Sequence, residues 1–245
     1  MPDHEEIILK TPVVPDGETL KFCIKKRDTD EIIGYRTNLI NRISENGKEY
    51  YKIQLKTEYI EGDLLEETTI LEMADILKPI FRHAIAKRKD GRLLSEAKMD
   101  FEGLEMPPNC CASSSSMGLY LRAASFIPKS MVSLNVMMMD QSFKINATTA
   151  KEREIITVPA GTFECHKVEL TPDIGSIMDQ LPTGFHLPSG FYTIAQRLAS
   201  RFMPSIFNWY AVEAPHHSVK YEGVEYSSSS SSMGEPIIEE LISID

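Results

Sequence analysis

Thirteen consecutive residues, Val158-Pro159-Ala160-Gly161-Thr162-Phe163-Glu164-Cys165-His166-Lys167-Val168-Glu169-Leu170, constrain this chain more than any other stretch. Pro159-Ala160-Gly161 is turn chemistry, and it launches a segment whose apolar and polar residues alternate. Period-2 alternation cannot be satisfied by a helix, because neighbouring side chains of a strand point to opposite faces. Chemistry of this kind specifies a β-hairpin and offers no reaction.

The same alternation recurs along the chain. Leu20, Phe22 and Ile24 share a face, as do Tyr51, Ile53, Leu55 and Tyr59, with Lys52, Gln54, Lys56 and Glu58 opposite. Between them Ile32 to Ile43 reads as a strand closed by Asn46-Gly47, a dipeptide suited to positive φ at both central turn positions. Leu64 to Met73 follows Glu61-Gly62-Asp63. Pro79–Lys87 and Arg92–Phe101 then pair across Asp90-Gly91, with Leu93, Ala97, Met99 and Phe101 on one face. Further on, Val132, Leu134, Val136 and Met138 share a face, and Phe143, Ile145 and Ala147 follow a turn near Asp140-Gln141. Residues 153–158 and 162–170 form the hairpin described above. Ile206–Glu213, Ser218–Tyr226 and Pro236–Ile244 complete the set.

Two regions depart from the pattern. Residues 103–117 contain Pro107-Pro108 and Ser113–Ser116 and read as a loop, with Gly118 to Phe126 as a candidate short helix behind a serine cap. Residues 172–205 carry Pro172, Pro182, Pro188 and Pro204 around a second candidate helix, Ser189 to Phe202. Phe191, Ile194, Ala195, Leu198 and Phe202 fall on one side of it. That helix reads either as a plug packed on the sheet or as a mobile lid. The hexapeptide Ser-Ser-Ser-Ser-Met-Gly occurs at 113–118 and again at 229–234, and both copies are expected to be flexible loops.

These features predict a mainly β fold. Its expected form is an antiparallel sheet of about eleven strands in a single domain spanning residues 1–245, which the resemblance given below implies is curved into a half-barrel. A helical insertion is expected at about 172–205, with one or two helices, one acting as plug or lid.

Charge narrows the partners. The net charge of −10 is spread evenly: residues 1–112 carry 17 basic and 22 acidic side chains, and residues 113–245 carry 9 and 14. No basic stripe is present to neutralise phosphates, so no nucleic-acid partner is expected. The acidic start, Met1-Pro2-Asp3-His4-Glu5-Glu6, has no apolar run behind it, and no segment reads as a membrane span. The expected location is the cytoplasm as written, or a bacterial periplasm or envelope if a leader has been removed. Cys23, Cys110, Cys111 and Cys165 form no scaffold pattern and no C-x-x-C.

Catalytic motifs are missing: there is no G-x-S-x-G, no phosphate loop, no G-x-G-x-x-G and no H-E-x-x-H. Cys165-His166 and His216-His217 could meet to bind a metal or to form a nucleophile–base pair. Strand geometry lets each pair contribute only one inward ligand, and the plainer reading is a buried Cys with solvent-facing histidines. No metal and no cofactor are expected. The 12 methionines, with Met131, Met137, Met138 and Met139 in one strand region, suit a cavity accepting varied apolar shapes and equally suit an ordinary core.

Val158–Leu170, together with Asn208–Gly223 (NWYAVEAPHHSVKYEG), is similar to an uncharacterised bacterial family with a PAGTF-x-C turn and a P-x-x-x-V-K-Y-E strand. Gly34–Ile40, Arg88–Gly103 and Leu119–Phe126 fit it more loosely, the last where such proteins have a helix ending in an arginine-containing turn. The resemblance implies a strongly curved antiparallel sheet, like the half-barrels of lipoprotein-localisation carriers that hold acyl chains against a helix. It implies no activity.

The leading functional expectation is therefore a non-enzymatic binder of a hydrophobic molecule, a lipid or acyl group. The candidate wall is Tyr51, Ile53, Leu55, Met99, Phe101, Val136 and Met138, with Phe191, Ile194 and Leu198 on the lid. The alternative is a structural or assembly protein whose sheet is filled by its own side chains. An enzyme using Cys165 with His166 or His217 is a third class.

Overall fold

Long amphipathic strands joined by short turns have one economical solution, a meander in which each strand pairs with the next. The computed structural model, which describes residues 9–138, 141–173, 206–224 and 235–245, takes that route. Its first six strands are β1 (Glu18–Lys26), β2 (Ile32–Glu45), β3 (Lys48–Tyr59), β4 (Leu64–Met73), β5 (Leu77–Lys87) and β6 (Leu93–Asp100). A two-residue strand β7 (Cys110–Cys111) and the helix α1 (Ser114–Leu121) follow. The remaining strands are β8 (Met131–Met138), β9 (Gln141–Val158), β10 (Gly161–Pro172), β11 (Ile206–Ala211), β12 (Ser218–Val224) and β13 (Pro236–Ile244).

Among the described residues thirteen strands form one curved, unclosed sheet in the order β6-β5-β4-β3-β2-β1-β13-β12-β11-β10-β9-β8-β7. Every pairing is antiparallel except β7 with β8. The strand β13 inserts beside β1, so the C-terminal meander is welded to the N-terminal one through the register Phe22↔Leu241 and Ile24↔Glu239. The count is thirteen rather than about eleven, and one of the thirteen, the two-residue β7, has no alternation to announce it.

Turn chemistry behaves as read. Asn46 and Gly47 take φ of 52° and 76° and close β2 onto β3. Gly161 sits at φ 138°, a conformation closed to residues with a Cβ, where β10 leaves the Pro159-Ala160 turn. That hairpin tip reaches back to β13, where the Ala160 N–H donates to Leu241 O at 3.0 Å. A small second core gathers there around Leu20, Phe22, Val158, Cys165, Trp209 and Leu241.

Two expectations need correction. The polar stretch Thr148–Arg153 does not interrupt a strand. β9 runs through it unbroken for 18 residues, because β8 pairs with its first half and β10 with most of its length. The first serine run is likewise no flexible loop. Ser113 is the N-cap of α1, its hydroxyl accepting from the Ser116 N–H while the Ser116 hydroxyl accepts from the Ser113 N–H, a reciprocal capping box. The helix consequently starts at Ser114 and not at Gly118. The second copy of the hexapeptide, and the 189–202 helix, lie outside the described residues.

The main core lies on the face of the sheet that carries α1, called the inner face below. Leu119, Tyr120 and Leu121 pack there with Ile40, Tyr51, Ile53, Leu71, Leu134 and Tyr210. The extended segment before β1 covers part of the same face, contributing Leu9 and Val14. Asn109 ties this region together: its Oδ1 accepts from the Leu9 N–H at 2.8 Å and its Nδ2 donates to Ser133 O at 3.0 Å.

Candidate functional site: the inner face of the sheet

Register and the two-residue period place side chains on the inner face in rows that run across the strands. One row is Ile40, Ile53, Thr69, Arg82 and Met99; the next is Asn38, Leu55, Glu67, Ala84 and Ala97; a third is Arg36, Thr57, Leu65, Ala86 and Ser95. Tyr51 and Leu71 face each other on the row nearest α1. The face therefore passes from aromatic and aliphatic near the helix to mixed and small-sided away from it.

The candidate wall residues divide along that gradient. Tyr51 is fully buried, and its hydroxyl donates to Pro12 O at 2.9 Å and accepts from the Val14 N–H at 3.1 Å. Ile53 is buried beside it, and Val136 packs half-buried against the same cluster. Phe101 is buried as well. Leu55 and Met99 are half-buried and belong to neither core cluster. Met138 ends β8 opposite Gln141. Phe191, Ile194 and Leu198 lie outside the described residues.

Beside the first turn of α1 and along the rows beyond it, the inner face holds a polar network that alternation did not announce. Glu67 accepts from Arg82 Nε and Nη2 at 3.0 and 2.8 Å on one oxygen, and from the Ser115 hydroxyl at 2.6 Å on the other. Ser113 stands 2.9 Å from Ser115 and 3.4 Å from Thr69, hydroxyl to hydroxyl. Arg36 donates to Thr57 Oγ1 at 2.9 Å and pairs with Glu239. Between these two ion pairs, Asn38 Oδ1 is buried without a hydrogen-bond partner. The available signal was β4 itself, whose inward series Leu65, Glu67, Thr69, Leu71 breaks an otherwise apolar stripe.

A second buried charge pair sits where α1 ends. Arg122, the C-cap residue, donates through Nη1 and Nη2 to both oxygens of Glu18 at 2.5 and 2.9 Å, and through Nε to Pro215 O at 2.8 Å. His217 Nδ1 lies 3.1 Å from Glu18 Oε2. Desolvation pushes the Glu18 carboxyl up, but the hydrogen bonds and charges of Arg122 and His217 outweigh it and hold the group at about 2.

The cysteine chemistry finds little to work with. Cys165 and His166 take opposite faces: the thiol is buried with Phe163 O at 3.7 Å, while the imidazole stacks on Phe126 at 4.8 Å. Burial raises Cys165 to about 12, helped by the charges of Glu154 and Glu164, so its thiolate is scarce near neutrality. The other three cysteines are also buried and free. His216 and His217 are half-buried rather than solvent-facing. His216 Nδ1 lies 2.9 Å from Ala211 O, with its ring edge-on to Phe126.

Among the described residues no group of three or more His, Cys, Asp or Glu side chains could hold a metal ion. Nor is any helix there long and apolar enough to cross a membrane. An open depression of about 480 Å³ between β2 and β5 is lined mainly by polar groups of the opposite face, among them Gln54, Lys56, Glu66, Thr68 and His83.

Comparison with known proteins adds little to this geometry. No family model matches the chain, and no curated protein matches it. Two solved structures align over 98% of this chain and the whole of their own. One is a "putative lipoprotein" from Parabacteroides distasonis, at 8% identity and a TM-score of 0.39. The other is a "putative exported protein with YmcC-like fold" from Bacteroides fragilis, at 9% identity and a TM-score of 0.32. At those scores and identities neither similarity bears on what this chain does.

Proposed function

We propose that the protein is a non-enzymatic binding protein that holds a hydrophobic molecule, a lipid or acyl group, along the inner face. Tyr51, Ile53, Phe101 and Val136 form the closed end of this site. Leu55 and Met99 are the side chains that touch ligand. The observation that carries the reading is Asn38 Oδ1, a buried acceptor with no partner, next to half-buried Leu55 in a row that ends in the small side chains Ala84 and Ala97. An unsatisfied buried acceptor costs about 1–3 kcal/mol, and a donor on the polar end of a bound molecule removes that cost. Small residues along one row leave width for a chain.

A second reading has its own observation. The chain's own Pro12 and Val14 satisfy the Tyr51 hydroxyl, and α1 fills the space above it, as a structural or assembly protein with a self-filled core requires.

Native mass spectrometry of protein purified without detergent separates the two. Under the binding reading it finds a co-purified lipid, an apolar fluorescent probe competes with that lipid, and Leu55→Trp abolishes uptake while the melting temperature holds. Absence of lipid together with a silent probe decides for the self-filled core.

A further inference from the structure

Among the described residues the strand β6 is exposed in a way that no other long strand is. It is one terminus of the sheet, bonded only to β5 among the described residues, and its centre, Glu96-Ala97-Lys98, is exposed on both faces. It is eight residues long and carries no proline, and its pairing irregularity lies at its start, where Leu94 is the extra residue between Leu93 and Ser95, so that Ser95–Asp100 pairs regularly. Natural edges of this length are normally shortened, bulged or covered, since unpaired N–H and C=O groups recruit another strand.

We propose that β6 pairs antiparallel with β6 of a second copy of this chain, joining two sheets across a two-fold axis at Ala97. The backbone sets which residues can meet. Phe101 N–H donates to Ile80 O, so the odd-numbered residues of this strand turn their backbone groups toward β5. Glu96, Lys98 and Asp100 therefore turn theirs outward, and these must pair with outward-turned residues of the second copy. An axis at Ala97 sets Glu96 opposite Lys98 twice, Ser95 opposite Met99 twice, and the two Ala97 side chains together at the centre. Shifting the axis by one residue sets Glu96 against Glu96, or Lys98 against Lys98 with Glu96 against Asp100. Of these three registers only the one at Ala97 is complementary in charge, and it places the smallest side chain where the two backbones approach most closely.

Both charged groups are held in position. His83 Nε2 lies 2.8 Å from Glu96 Oε1, and Lys98 Nζ sits 5.6 Å from the centre of the Phe81 ring. Strands of this length bury an area at the low end of stable interfaces, below about 1,200 Å², so the dimer is a weak, concentration-dependent one.

Sedimentation velocity from micromolar to millimolar protein reads the association. The wild type passes from monomer to dimer over that range. Lys98→Glu and Glu96→Lys, both on an exposed strand and both retaining the wild-type melting temperature, each weaken the dimer about tenfold or more. An equimolar mixture of the two variants recovers it, and so does the double variant Glu96→Lys/Lys98→Glu. A wild type that stays monomeric throughout overturns the proposal and reassigns the edge to a strand from another protein. A dimer indifferent to the single reversals, or one that neither the mixture nor the double variant restores, overturns it too.

Discussion

The helix α1 is fastened to the sheet at both ends by a glutamate, and the two fastenings are built differently. At its N-terminus Glu67 of β4 accepts from Ser115 in the first turn, while Arg82, with a side chain 23% exposed, binds the other oxygen. At its C-terminus Arg122 meets both oxygens of Glu18, with side-chain exposures of 3% and 2%. Glu67 brings to the N-terminus a negative charge that the first turn of α1 lacks, whereas at the C-terminus the cation is the helix's own C-cap Arg122 and Glu18 is its counter-ion. Water separates their energetics. A guanidinium that keeps partial access to solvent survives loss of its partner cheaply, whereas one that is sealed does not. The sealed end is therefore the structural commitment, and the wetter end is adjustable.

Breaking the sealed end should have the largest effect. Glu18→Gln leaves Arg122 charged and buried without a counter-ion, and we expect a loss of about 3–5 kcal/mol in urea unfolding. A variant that loses less than the Glu67→Gln variant would reverse the ranking of the two ends.

Acid sharpens the contrast without a mutation. The folded-state value of Glu18, about 2, lies below its ordinary value of 4.5. The stability this contributes is complete above pH 4.5 and disappears as pH falls toward 2, an amount on the order of 3 kcal/mol. Thermal melts between pH 5 and 2 (about the span of that titration) should show this loss in the wild type. They should lack that portion of it in Glu18→Gln.

The smallest effect belongs to the wetter end. Ser115→Ala removes one hydrogen bond to Glu67 but leaves both Arg82 bonds, and about 1 kcal/mol is expected. Hydrogen exchange on the first turn of α1 is the measurement that resolves it, since protection there should fall while the last turn is unchanged.

Much of the architecture was legible in the residues because its signals are local. Alternation at Leu20–Ile24 and Tyr51–Tyr59 exposes strand faces whatever the neighbours are, and Asn46-Gly47 and Pro159-Ala160-Gly161 fold on their own dihedral preferences. Ser113 as a cap was readable in kind, although its place at the head of the helix depended on Ser116 answering it. The candidate site was less legible. Tyr51 and Ile53 were recognisable as inward-facing, yet that the chain's own Pro12 and Val14 would satisfy Tyr51 is a matter of contacts 39 and 37 residues apart.

By itself, then, the sequence determined where strands begin, turn and face, because those properties depend on a few adjacent dihedrals and a two-residue period. Only the tertiary structure decided that β13 slots beside β1, that the polar stretch of β9 stays strand, and that Glu18 and Arg122 meet across 104 residues. Such pairings reward a whole surface rather than a local segment, so no short window of residues records them.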